Sequence, residues 1–228
     1  MSGSDSPRQL PLDLAHDEGR SREDLVVSDA NMEAVAAVEG WPDWPVTVMV
    51  LAGPRGSGKS HLAAVWAEHS GAAQLDPRHI ADAPPGHALI DDADGAALDE
   101  TGLFHLINRA RQDGSNILLT ARRFPAAWGV RLPDLASRLK AAATVEIREP
   151  DDALLAGVIA KLFADRQVDV EPHVVQFVVR RIERSLATAI DVVERLDRAA
   201  LERQSRITRS LAADVVGALD AGQGELDL

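Results

Sequence analysis

The sequence predicts an α/β fold, a parallel sheet with helices on both faces, followed by a small all-helical unit. Three observations point there. Short β-branched apolar runs recur between helical segments through the first 150 or so residues, one such run leads through a glycine-rich turn directly into a helix, and beyond Glu149-Pro150-Asp151-Asp152 only helical patterns appear. With 228 residues, 46% of them hydrophobic and 26% charged, the chain can bury the core of one large or two small packed units.

Residues 1–24 form a polar, acidic stretch with Ser, Pro and Gly and no apolar run of signal-peptide length, so a tail is expected. From Leu25 the pattern changes. Residues 28–40 read as a helix with Ser28 or Asp29 as its N-cap and Gly40 as its stop, and Trp41-Pro42-Asp43-Trp44-Pro45 blocks any continuation. VTVMVLAG (46–53) reads as a buried strand, and SHLAAVWAEHS (60–70) as the helix after the glycine-rich turn. HALIDDAD (87–94), NILLTA (116–121) and ATVEI (143–147) are three further strands, with a helix over 98–114 between the first two of these. An alternation of strands and helices gives a parallel sheet buried on both sides. The core is therefore expected over 25–149.

The helical unit is expected over 150–219, with helices at 151–165, 171–184, 186–205 and 208–219, the last opened by Thr208. Val174, Val175, Phe177, Val178 and Ile182 in the second, and Ile190, Val193, Leu196 and Leu201 in the third, recur near helical spacing. Residues 220–228 read as an acidic C-terminal tail.

Composition narrows the function. The absence of cysteine excludes disulfides and thiol chemistry and suits a reducing compartment. Lys and Arg number 24 against 36 Asp and Glu, a net charge of -12, which opposes direct binding to a phosphate backbone or an anionic membrane. No stretch approaches the length of a membrane span, so the expectation is a cytoplasmic protein without membrane contact. The seven histidines show neither metal-ligand spacing nor pairing with a nucleophile.

Chemistry concentrates at two motifs. Gly53-Pro54-Arg55-Gly56-Ser57-Gly58-Lys59-Ser60 satisfies the P-loop pattern in the required context, between a strand and a helix. Glycines let backbone N–H groups converge on phosphate oxygens, Lys59 neutralises the outer phosphates, Ser60 can hold Mg²⁺, and the helix dipole adds to the attraction. The second motif, Leu89-Ile90-Asp91-Asp92, delivers acids at the end of a strand, where open α/β sheets bind ligands. Asp91 is the expected Mg²⁺ ligand and Asp92 the residue that orients or activates the attacking water. Arg138 is a different case: from the residues alone it is either a helix-terminal surface arginine or a phosphate-directed cation.

GPRGSGKSHLA, LIDDAD, ILLTARRFP and LPDLASRL together resemble AAA+ ATPases of the bacterial replication-initiator group, and most closely the Hda family of DnaA-like regulators, from about Leu25 to Val216. The resemblance implies an AAA+ P-loop NTPase core with a helical lid, and ADP or ATP with Mg²⁺ as ligands. Val27, Asn31 and His61 match positions around the nucleotide, the first two in the segment that packs on adenine. LPDLASRL implies that Arg138 is the arginine finger, which in this family reaches a neighbour's bound ATP.

Two departures bear on the chain's own hydrolysis. Arg122 stands where the family has an acidic sensor, and Ala187 stands where its lid supplies a phosphate-sensing arginine; Arg184, one helical turn earlier, is the available substitute. At the other end, Gln9-Leu10-Pro11-Leu12-Asp13-Leu14 resembles the short motif by which bacterial proteins dock on the sliding clamp, with Gln9 in a polar pocket and Leu10, Leu12 and Leu14 forming its apolar part. Gln223 to Leu228 repeats that spacing, as a second docking motif or as a plain acidic tail.

The resemblance thus implies a negative regulator of replication initiation. It would partner the initiator DnaA and the sliding clamp, meet DNA only through the clamp and form homo-oligomers as an option, with weak hydrolysis of its own. A self-sufficient AAA+ ATPase, such as a clamp-loader-like motor, is the alternative. Over these 228 residues the initiator's DNA-binding domain is not expected after the lid.

Overall fold

A computed structural model describes residues 25–223. The core is a five-stranded parallel sheet built from β1 (Val48–Ala52), β2 (Ala73–Leu75), β3 (Ala88–Ile90), β4 (Ile117–Ala121) and β5 (Ala143–Glu146), in the order β2-β3-β4-β1-β5. Helix α1 (Met32–Glu39) precedes β1, and between the strands run α2 (Lys59–Ser70), α3 (Glu100–Asp113) and α4 (Pro133–Lys140), with a short 3₁₀ turn at Pro125–Ala127. Four strands match the expectation. The fifth, β2, has only the residues Ala-Gln-Leu and lies at the sheet edge; it takes strand form by pairing with β3, Gln74 opposite Leu89.

Strict alternation divides the sheet between two cores. Val48 and Val50 of β1, Ala88 and Ile90 of β3, and Ile117 and Leu119 of β4 face α3 and α4 with Leu103, Leu106, Ile107, Leu135 and Leu139. Met49, Leu51, Leu89 and Leu118 face the opposite side, against Val35 and Val38 of α1 and Leu62 and Trp66 of α2. Both layers are dry, which explains why the strands read as unbroken apolar runs.

The helical unit comprises α5 (Asp152–Asp165), α6 (Pro172–Val179), α7 (Leu186–Arg203) and α8 (Arg209–Gln223). Its own core joins Leu155, Ile159, Phe163, Val174, Val178, Val192, Leu196 and Leu211. No helix among the described residues is long and apolar enough to cross a membrane.

Three boundaries differ from expectation. Helix α1 starts at Met32: Ser28 does not cap it but opens a turn, accepting at its carbonyl from Asn31 and Met32 and at Oγ from Ala30 N–H. Helix α6 stops at Val179, since the residues that follow form the turn that brings Ser185 to the N-cap of α7, where its Oγ accepts from Thr188 N–H at 3.4 Å. Helix α8 continues past 219 to Gln223. The expected clamp-docking residues Gln9, Leu10, Leu12 and Leu14 lie outside the described residues, as do 224–228.

Candidate functional site

The crossover after β1 travels to the far edge of the sheet, whereas that after β4 passes back beyond β1 to β5. The carboxyl ends of β1 and β4 therefore flank the point where chain direction reverses, the usual ligand crevice of such sheets. Every P-loop residue lies there. Gly53 closes β1, donating its N–H to Ala121 O at 3.1 Å, and Gly58 enters α2 with a left-handed φ of 95° that carries the chain from loop to helix. Ser60 and His61 follow in the first turn of α2, where His61 is half-buried.

Lys59 is buried, and its Nζ donates to Pro54 O at 2.7 Å across the loop. Burial pushes its pKa below the ordinary lysine value, against the opposing pull of Asp92 and Asp91. A buried ammonium whose partner is a single carbonyl is well placed to take an anion. Ser57 Oγ beside it is buried without a hydrogen-bond partner. A Cβ on Gly56, whose φ is 73°, would stand 2.2 Å from Ser185 Oγ. These features fit a phosphate group: a bare donor and a cation around a loop too close-packed for side chains.

The acids meet the P-loop as expected. Ser60 Oγ donates to Asp91 Oδ1 at 3.0 Å, bringing together the two proposed Mg²⁺ ligands. Thr120, fully buried at the end of β4, donates its hydroxyl to the same Asp91 oxygen and accepts from Asp92 N–H at 2.9 Å. No role was expected for Thr120. The register supplies the missing signal: Ile90 pairs with Leu119, so the next residues of the two strands, Asp91 and Thr120, stand side by side. Asp92 is exposed, with a left-handed φ of 52°. Arg122 Nε comes to 4.0 Å from Asp92 Oδ1.

The helical unit supplies the roof. Leu186 N–H donates to Gly56 O at 2.8 Å, and Leu186 Cδ1 would contact a Cβ on Gly58 at 3.0 Å. Sequence reasoning missed both Ser185 and Leu186, since nothing in a serine and a leucine announces contact with a loop 130 residues earlier. Ala187 is exposed and brings no cation. Arg184 is engaged elsewhere, with Nη2 on Asp152 at 2.9 Å and Nη1 on Pro150 O at 3.3 Å, so it ties the turn before α7 to the start of α5.

Val27 and Asn31 lie on the segment that enters α1. Asn31 is buried and staples that segment, accepting from Ser28 N–H at 2.8 Å and donating to Val26 O at 2.9 Å. Val27 is 53% exposed, and its neighbour Val26 packs so tightly on α5 that a Cβ on Gly157 would meet it at 2.7 Å. The segment bridges core and helical unit, with an apolar side chain left open.

Arg138 sits apart from this group, in the last turn of α4. Its guanidinium lies over the Phe104 ring, 5.3 Å from the centroid, and its buried Nε has no hydrogen-bond partner. It makes no hydrogen bond to the P-loop of its own chain.

Comparisons with known proteins agree with this architecture. Residues 158–215 match the family described as Hda, lid domain. An uncharacterized protein of Haemophilus influenzae is 29% identical over 110 residues, a match spanning 48% of this chain and 48% of that protein, so about half the length of each is compared. Domain III of the Thermotoga maritima replication initiation protein DnaA superposes with a TM-score of 0.75 at 18% identity, covering 87% of this chain and 96% of the other. AMPPCP-bound DnaA from Aquifex aeolicus gives 0.68 at 16% identity, over 79% and 65% of the two chains. The Thermotoga maritima RuvB Holliday junction branch migration motor gives 0.68 at 17% identity, over 88% and 72%. At these identities the structures establish a shared AAA+ fold.

Proposed function

We propose that this chain is an Hda-like, DnaA-related protein that binds an adenine nucleotide and switches off the replication initiator DnaA by promoting hydrolysis of initiator-bound ATP. In this reading the P-loop N–H groups, Lys59 and the bare Ser57 hydroxyl hold the phosphates, and Val27 with the Asn31-stapled segment borders the adenine. Ser60 and Asp91 would hold Mg²⁺, which supplies charge neutralisation on the phosphates when bound. Thr120 keeps Asp91 in position. The Gln9 to Leu14 motif would tether the protein to the sliding clamp, which explains how a chain of net charge -12 works at DNA.

The placement of Arg138 carries this reading. A guanidinium that rests on an aromatic ring, lacks a partner for a buried N–H and makes no hydrogen bond to its own P-loop suits a neighbour's phosphates. An arginine supplied in trans accelerates phosphoryl transfer by about 10³–10⁵ in related systems.

The nucleotide site is tested by thermal shift. Mg²⁺ with ADP or ATP at about a hundred times its Kd should stabilise the wild type by about 2.7 kcal/mol, raising Tm by several degrees. Lys59→Ala should abolish that rise. A rise that survives the substitution would contradict the assignment.

The second reading, a self-sufficient ATPase, is favoured by the assembly of Ser60, Asp91 and Thr120 around a complete P-loop. Turnover by the isolated protein decides between the two.

A further inference from the structure

Arg122 leaves β4 directly after Ala121, at a point where two loops are stapled together. Its backbone N–H donates to Asp94 Oδ1 at 3.2 Å. The guanidinium of Arg123 closes on the same acid, Nε to Oδ2 at 3.2 Å and Nη2 to Asp94 O at 3.1 Å. The side chain of Arg122 therefore starts from a backbone tied to the loop after β3. It runs toward Asp92, and its Nε lies 4.0 Å from Oδ1.

The backbone of Asp92 is fixed beside it. Its N–H is held by Thr120 Oγ1 at 2.9 Å, and its φ of 52° is a conformation that few side chains adopt. The guanidinium also bears on the P-loop: the charge of Arg122 opposes protonation of Lys59, while Asp92 and Asp91 favour it. Asp92, Asp94, Gly95, Arg122 and Arg123 line a cleft of about 360 Å³ at this place. Cation and carboxylate thus line one cleft beside the strand ends.

We propose that Arg122 is a built-in brake on turnover: by pairing with Asp92 it withholds the carboxylate that would activate water, so the pocket keeps its nucleotide instead of consuming it. The inference rests on the reading of this site as a nucleotide pocket. In the step that is restrained, Asp92 takes a proton from the water that forms a P–O bond to the terminal phosphoryl group, as the P–O bond to ADP breaks. A base needs a free lone pair within hydrogen-bond reach of that water, and a guanidinium with five N–H donors competes for it. Arg122 acts through Asp92 and is a positioning residue. Both side chains are more than half exposed, so the pair is of modest strength and the brake a factor of about five.

The test compares full-length wild type, Arg122→Ala, Arg122→Lys, Asp92→Asn and the Arg122→Ala/Asp92→Asn double variant. With ATP and Mg²⁺ pre-bound, single-turnover hydrolysis should rise about fivefold in Arg122→Ala, fall back toward the wild-type rate in Arg122→Lys, and lose the gain in the double variant. In nucleotide-free protein, thermal midpoints of the two single variants and the double should be non-additive, as expected for a direct pair. An unchanged or slower rate in Arg122→Ala with ATP still bound overturns the brake, and so does strict additivity. Selective loss of ATP binding in Arg122→Ala also overturns it, making Arg122 a phosphate ligand. A wild type that binds no nucleotide overturns the pocket reading and the brake together.

Discussion

Gly53 shows at the scale of one residue how function and packing ask for the same side chain. A Cβ there would stand 2.1 Å from the carbonyl oxygen of Ile147, a residue just past β5 whose own N–H donates to Ala52 O at 2.7 Å. Gly53→Ala should therefore destabilise the fold by about 2 kcal/mol or more and lower Tm by several degrees in the absence of any nucleotide. A thermal midpoint within a degree of wild type would show that the β1 and β5 ends can part. The motif alone explains this glycine by phosphate approach; the nearness of β5 was invisible, because strand order is not written in a local pattern. The placement of Lys59, Ser60, Asp91 and Asp92 at the ends of β1 and β3, by contrast, was legible, since a glycine-rich turn between strand and helix and an acid-ended strand are local patterns whose context the sequence also carries. Thr120 was not, for its task appears only when β3 and β4 lie in register.

Among the elements, α4 is the one whose position matters most to the proposed trans action, and Glu100 governs its entry. From the first turn of α3, its carboxylate accepts from Arg131 N–H at 3.1 and 3.0 Å and from Leu132 N–H at 2.8 Å, immediately before α4 begins. Desolvation raises the pKa of Glu100, but the two N–H donors and the Arg131 guanidinium outweigh it, so the net shift is downward. A lowered carboxylate pKa contributes stability that is fully present above the unfolded value of about 4.3 and is lost as pH falls through the folded value. Glu100→Gln should cost about 1 kcal/mol at pH 7, and the gap in Tm from wild type should narrow as pH drops below 4. A gap that stays constant with pH would remove the charge from this account. The strands and most helices were readable from short apolar runs, helical spacing and glycine stops, whereas the capping carboxylates of Asp99 and Asp151 emerged only in the structure. What escaped were β2, too short and too weakly β-branched to stand out, and the start of α1, where Ser28 spends its hydroxyl on a turn.

For the molecule as a whole, division into an α/β core and a helical lid was legible from the loss of strand pattern after Pro150. Their mutual contacts were not: Leu186 and Ser185 on Gly56 and Val26 against Gly157 each join residues far apart in sequence. These contacts place the lid on the same loop that is proposed to hold phosphate. The proposed working parts are separate: the proposed nucleotide pocket at the strand ends and Arg138 on α4 over Phe104, with the proposed clamp motif at residues 9–14 outside the described residues. The central claim is that Arg138 acts in trans on the initiator's ATP, and its most direct test is hydrolysis of initiator-bound ATP in a reconstitution with clamp-loaded DNA. Wild-type protein should accelerate that hydrolysis, Arg138→Ala should bind nucleotide normally yet lose the stimulation by about 10³-fold or to background, and Gln9→Ala/Leu12→Ala should lose it through failure to hold the clamp. Stimulation by Arg138→Ala equal to that of wild type would contradict the account.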